Sequence, residues 1–129
     1  MALEEAVRGA DVIVTATGAQ VPFLKGAWLK EGAHVNAVGA ARPTWRELDD
    51  DAMRNILIVD SREAVQQESG DVILSDAPIY AEAGELFAGT RVPSRSATTV
   101  FKSVGLAVED IVTARLVYDA ILTLCEQQA

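Results

Sequence analysis

The sequence predicts an α/β fold built on a parallel sheet with crossover helices. Three observations predict it. Short runs rich in β-branched residues at 11–16, 34–38, 56–59 and 98–104 alternate with stretches of helical spacing. The first run is β-branched and continuous instead of alternating, the habit of a strand covered on both faces. The strands and helices follow one another at close spacing, and crossovers of that kind are right-handed as a rule.

The elements follow in order. Residues 2–9 have the pattern of an amphipathic helix end, with Leu3, Ala6 and Val7 on one side and Glu4, Glu5 and Arg8 on the other; Gly9 closes it. A strand over 11–16 runs into a loop of small and polar residues, 17–22. The spacing predicts a short helix over 23–30 and then a strand over 34–38. A second helix is predicted over 45–55, with Glu47, Asp49, Asp50 and Asp51 in its early turns as a solvated acidic face. Residues 56–59 form the next buried strand. Asp60 and Glu63 are spaced as a capping box for a helix over 61–68 that stops at Ser69-Gly70. Residues 78–87 have helical spacing, 91–96 read as loop, and 98–104 as the last strand. The final helix, 106–127, is apolar around most of its circumference, so it needs partners on more than one side.

Composition excludes several function classes. The chain has 129 residues, enough for one domain and one core. It carries 11 basic and 19 acidic residues, a formal charge of 11 − 19 = −8. Arg42, Arg46, Arg54 and Arg62 are dispersed among acids, so no basic patch offers itself to nucleic acid. Cys125 is the single cysteine; it cannot close an internal disulfide, and no Cys/His set has metal-ligand spacing. This favours a reducing, cytoplasmic compartment and no metal. Glu4, Glu5 and Arg8 interrupt any signal peptide, and the apolar runs are too short to span a membrane. His34, the single histidine, lies inside a strand pattern, where a packing role outweighs a catalytic one.

The stretch from His34 to Pro43 is the centre of the functional argument. It reads as a buried strand ending in a turn at Gly39, and ligands of open α/β sheets bind just past the carboxyl ends of strands. A glycine there lets another molecule approach the main chain; a plain strand end is the alternative. No two glycines are separated by one residue, so there is no G-x-G-x-x-G turn, and neither a Walker loop nor a G-x-S-x-G elbow is present. The chain reads as the second half of a nucleotide-binding sheet without its first.

Three segments together carry a resemblance. They are Val35-Asn36-Ala37-Val38-Gly39-Ala40 with Arg42-Pro43 and Arg46-Glu47-Leu48; Val59-Asp60-Ser61 with Glu68-Ser69-Gly70-Asp71; and Thr98-Thr99-Val100-Phe101-Lys102-Ser103-Val104-Gly105 with Ala107-Val108-Glu109-Asp110. In order and spacing this set resembles the ornithine cyclodeaminase/mu-crystallin family over nearly the whole chain, most closely the mu-crystallin branch. The resemblance implies a partial Rossmann-like, doubly wound parallel sheet over residues 1–105, lacking its first βαβ unit. It implies that residues 106–129 are a helix returning to a substrate and dimer domain located upstream of Met1.

The resemblance also implies a function: reduction of cyclic imine carboxylates by a homodimer using NADPH or NADH. A thyroid-hormone-binding protein regulated by NADPH, or an inactive truncated product, is the alternative. Thr17 and Gly18 match the family's loop along the cofactor. Val38 and Gly39 match the turn beside the nicotinamide, and Ser103 and Val104 the strand end flanking the same ring. Glu68 matches a position lining the substrate or hormone pocket. Ala41 stands where the family's cyclodeaminases have their catalytic aspartate. That departure argues against cyclodeamination, which needs a carboxylate to move protons. It leaves imine reduction open, since there the cofactor supplies the hydride. No catalytic residue of this chain is implied.

Overall fold

The computed structural model of the chain describes residues 2–126. Five short parallel strands form one sheet: β1 (Val12–Thr15), β2 (His34–Ala37), β3 (Ile56–Val59), β4 (Ile79–Glu82) and β5 (Thr99–Lys102). Their spatial order is β1-β2-β5-β3-β4, so the last strand inserts between the second and third. In the middle of the sheet Val35, Val100 and Leu57 lie side by side, all fully buried. One row further along, Lys102 lies between Ala37 and Val59.

The helices are α1 (Leu3–Val7), α2 (Asp50–Met53), α3 (Arg62–Glu68), α4 (Gly70–Ser75), α5 (Ala83–Phe87) and α6 (Ala107–Glu126). The core lies on one face of the sheet. Ile13, Val35, Ala37, Leu57, Val59 and Val100 pack there with Leu24, Leu48, Met53, Val65 and Val72 from the intervening segments. The other face holds α5, where Leu86 and Phe87 form a hollow with His34, Asn36, Ile58 and Phe101. This two-sided arrangement follows from right-handed crossovers. The connections from β1 to β4 all advance in one direction across the sheet, and only β4–β5 turns back.

The α/β class and parallel sheet predicted from the sequence are what the chain forms, but several local expectations are corrected. Instead of a helix over 23–30 there is extended chain with one 3-10 turn, Gly26–Trp28. The N–H groups of Phe23 and Leu24 both donate to the Glu47 carbonyl, which pulls this segment against residues 47–49. The helix over 45–55 shrinks to α2, capped by Asp49, whose carboxylate accepts from Ala52 N. Glu47 is not on a solvated face; it is fully buried. Ser61, not Asp60, caps α3, accepting from Ala64 N. Gly70 does not simply end a helix; α4 starts there. Helical spacing over 78–87 resolves into a strand, β4, followed by the short α5. Strand β1 is covered on one face only, with Val12 and Val14 exposed. His34 has the packing role expected: its Nδ1 meets Thr99 Oγ1 at 2.7 Å and its Nε2 meets Asn36 Oδ1 at 3.2 Å.

Every residue of α6 from Ala107 to Cys125 is exposed, including Ile111, Leu116, Tyr118 and Leu122. Gln127 of the predicted final helix lies outside the described residues. Among the described residues no helix is long and apolar enough to cross a membrane.

Candidate functional site

Strands β1, β2 and β5 are neighbours and parallel, so their carboxyl ends finish side by side. Thr17-Gly18 follows β1, Val38-Gly39 follows β2 and Ser103-Val104 follows β5. The structure therefore brings these six sequence-predicted residues to one edge, where open α/β sheets bind ligands. Thr17, Gly18 and Val38 are exposed; Gly39, Ser103 and Val104 are half-buried.

Two carboxylates hold this edge from inside. Glu47 Oε1 accepts from Thr17 N at 2.6 Å and Thr17 Oγ1 at 2.7 Å. Its Oε2 accepts from Thr15 Oγ1 at 2.8 Å and Gly39 N at 3.0 Å. One buried carboxylate thus ties the end of β1 to the end of β2. Asp60, at the end of β3, does the same for β5. Its Oδ2 accepts from Ser103 Oγ, Val104 N and Gly105 N at 2.8, 2.9 and 2.9 Å.

Lys102 links the two halves. Its ammonium donates to the Gly39 carbonyl and lies 3.2 Å from Asp71 Oδ2, with both side chains fully buried. Asp71 Oδ1 in turn accepts from the N–H groups of Glu47 and Leu48 at 2.9 and 3.0 Å. Burying three charges is tolerated because each meets an opposite charge or hydrogen-bond partners.

The reason for glycine at 39 differs from the one its sequence position suggests. A Cβ there would point inward and meet Thr17 N at 2.3 Å and Glu47 Oε1 at 2.4 Å. Close approach inside the protein, not the approach of a ligand from outside, demands glycine. The left-handed residue of this turn is the next one, Ala40, with φ of 50°.

Ala41 is exposed on the far side of that turn. Glu68 is exposed at the end of α3, in a shallow groove with Ser61 and Leu106. Gly70, two residues on, donates its N–H to the Arg42 carbonyl at 2.9 Å, so the end of α3 is tied to the turn that carries Ala41. Gly70 has no room for a side chain: a Cβ would meet Trp45 O at 2.2 Å.

Further along the same edge, Arg62 pairs with Glu85 at 2.6 Å. The Glu82 N–H donates to the Glu85 carboxylate at 2.8 Å. This backbone bond, with the Arg62 guanidinium second, holds the Glu85 carboxyl below its ordinary value.

The edge has a defined chemistry. The hydroxyls of Thr17 and Ser103 are occupied inward by Glu47 and Asp60, and the ammonium of Lys102 is turned inward as well. What the three strand ends expose is mainly the backbone and side chains of Thr17, Gly18 and Val38, with no charged group among the six residues; Val104 packs in part against the core. That suits the face of a flat, neutral ring such as nicotinamide. It does not suit a pyrophosphate, which needs a glycine-rich turn at a helix start.

Sequence reasoning missed the supports of this edge. Glu47 sat in an acidic run, and Asp60 had the spacing of a cap. Lys102 gave the one readable signal, a single charge inside an otherwise uncharged strand.

Comparison with known proteins gives the following similarities. A family model described as Ornithine cyclodeaminase/mu-crystallin family matches residues 1–124. The ketimine reductase mu-crystallin of Macropus fuliginosus is 62% identical over 119 residues, covering 92% of this chain and 38% of that protein. A Delta(1)-pyrroline-2-carboxylate reductase of Bacillus cereus is 40% identical over 126 residues, 89% of this chain and 38% of that protein. Among solved structures, the Thermococcus litoralis Delta(1)-pyrroline-2-carboxylate reductase in complex with NADH and L-proline superposes with a TM-score of 0.86 at 40% identity. It covers 94% of this chain and 41% of that one. This chain therefore spans less than half the length of the relatives it matches.

Proposed function

This chain belongs to the ornithine cyclodeaminase/mu-crystallin family, and from that premise we propose that it forms the nicotinamide-side, carboxyl-terminal part of a reductase of cyclic imine carboxylates. The observation that carries the reading is the edge of three adjacent strand ends, neutral outward and held inward by Glu47, Asp60 and Lys102. The names of the similar proteins support it, since they are imine reductases and one was solved with NADH.

NADPH or NADH, when bound, supplies the hydride. The chain's own residues orient and exclude. Thr17-Gly18, Val38-Gly39 and Ser103-Val104 form the wall against which the ring rests. Glu68 and Ala41 border the substrate side, and Ala41 brings no carboxylate next to an anionic substrate. The grip on the pyrophosphate and on the substrate carboxylate belongs to the upstream part of the longer polypeptide. We assign that polypeptide to the cytoplasm and to a homodimer in which α6 packs on the upstream domain.

The test is a reconstituted polypeptide in which this chain replaces the matching segment of the Macropus fuliginosus protein. With a cyclic ketimine and NADPH it should oxidise the cofactor. Tight thyroid-hormone retention without oxidation would favour a carrier; neither activity would favour an inactive product.

A further inference from the structure

We infer that Glu47 is a positioning residue for the cofactor-facing turns, with Lys102 as its counterpart, an inference that rests on the nicotinamide-side reading above. Three observations carry it. The first is where the bonds go. All four donors to the Glu47 carboxylate come from Thr15, Thr17 and Gly39, at the ends of two of the three strands that form the wall. Removing that carboxylate would leave these donors, in the turns at the strand ends, without their partner.

The second is that the turn is fixed at every polar group. Gly39 N–H is held by Glu47, the Gly39 carbonyl by Lys102, and Ala40 N–H by the Thr17 carbonyl at 2.8 Å. The third is that Ala40 is held at a positive φ, a conformation that persists only where the surroundings over-determine it and that clusters at ligand sites. Among the described residues the other positive-φ residue that is not glycine, Asp76, has an ordinary reason, because it caps the end of α4.

In the reconstituted polypeptide four variants test this: Glu47→Gln, Thr17→Val with its conservative partner Thr17→Ser and, as a control away from the edge, Val65→Ala. Cofactor affinity is read by NADPH fluorescence, and exchange of the Gly39 and Thr17 amides by hydrogen exchange without cofactor. Glu47→Gln places an N–H against donors. It should weaken NADPH binding and speed both amides by about tenfold or more, the size expected for losing a hydrogen bond to a charged group. The KM for the imine acid should change less than about twofold, because the substrate carboxylate is held elsewhere. Thr17→Val should shift the Gly39 amide in the same direction, with Thr17→Ser restoring it; this pair carries the test if Glu47→Gln fails to fold.

Val65→Ala should lower the melting temperature and leave NADPH affinity unchanged. Affinity that follows melting temperature across all variants, Val65→Ala included, would overturn the positioning role. Wild-type polypeptide that binds neither NADPH nor NADH would overturn the functional reading itself. Wild-type binding with an unaffected Glu47→Gln would overturn this inference alone.

Discussion

Lys102, fully buried in the central strand, donates its ammonium to the carbonyl of Gly39 at the end of the adjacent strand. Its second partner is the buried carboxylate of Asp71. Lys102→Met removes the cation 3.2 Å from Asp71 and leaves that buried carboxylate with only the cation of Arg46, whose Nε lies 4.0 Å away. We expect a loss of roughly 3–5 kcal/mol, the usual result of breaking a buried ion pair from one side. The double variant Lys102→Met/Asp71→Asn should recover part of it. Denaturant unfolding of the reconstituted polypeptide checks this, and a double variant no better than Lys102→Met alone would refute the pairing.

Gly39→Ala is the second prediction. The added methyl points into the Thr17 backbone and the Glu47 carboxylate, so the turn must shift. We expect about 1–3 kcal/mol of destabilisation from overpacking, with weakened NADPH binding as its consequence. Calorimetry and cofactor titration check the two together. Full stability with lost binding would mean that the side chain points outward after all.

These two sites show what was legible in the sequence and what was not. Four of the five strands were legible because their short apolar or β-branched runs are bounded by glycine, asparagine or aspartate, whereas β4 was read as helix. The helices over 23–30 and 45–55 were misread because their backbone groups bond far along the chain. Glu47 N and Leu48 N donate to Asp71, and Leu24 N donates to the Glu47 carbonyl. Local spacing contains no trace of such partners. The same holds for the site. Its outward residues follow from strand ends and from family resemblance, whereas Glu47, Asp60 and Lys102 take their roles from contacts that reach 30, 44 and 63 residues along the chain.

Ala41→Asp is the third prediction. Ala41 is exposed beyond the turn, so an aspartate there should change stability by no more than about 0.5 kcal/mol. It should nevertheless slow reduction of a cyclic imine acid, because the new anion repels the substrate carboxylate. Steady-state rates with and without added salt check it. An unchanged rate would show that Ala41 does not face the substrate.

Glu85 gives a pH prediction. The Glu82 N–H and the Arg62 guanidinium favour its charged form, so its folded pKa is depressed. The contribution it makes to stability is complete above the ordinary glutamate range. It falls away as pH drops through that range to the lowered folded value. Glu85→Gln should therefore flatten the acid side of the melting-temperature profile and leave the neutral side parallel. Glu85 is solvent-accessible, so the effect is small, and an acid limb of unchanged slope would remove it from the account.

The last prediction concerns the 129 residues on their own: they associate with one another and oxidise no NADPH. Two features motivate it. The described part of α6 is exposed on all sides, with Ile111 at 68%, Leu116 at 66%, Tyr118 at 58% and Leu122 at 45% of full accessibility. Burying a large apolar side chain contributes roughly 1.5–3 kcal/mol, and a folded domain has a margin of only about 5–15 kcal/mol. Four such residues left in water withhold stability comparable to that margin, and Val12, Val14 and Phe87 add further apolar surface on the open side of the sheet. The second feature is the lack of a glycine-rich turn at a helix start, without which the wall of strand ends touches only one end of the cofactor. Light scattering of the purified chain should show concentration-dependent association, and a ketimine assay with NADPH should show no oxidation. Adding the upstream segment of a relative should reverse both. A monodisperse monomer that turns over substrate would defeat the account of α6 and of the missing anchor at once.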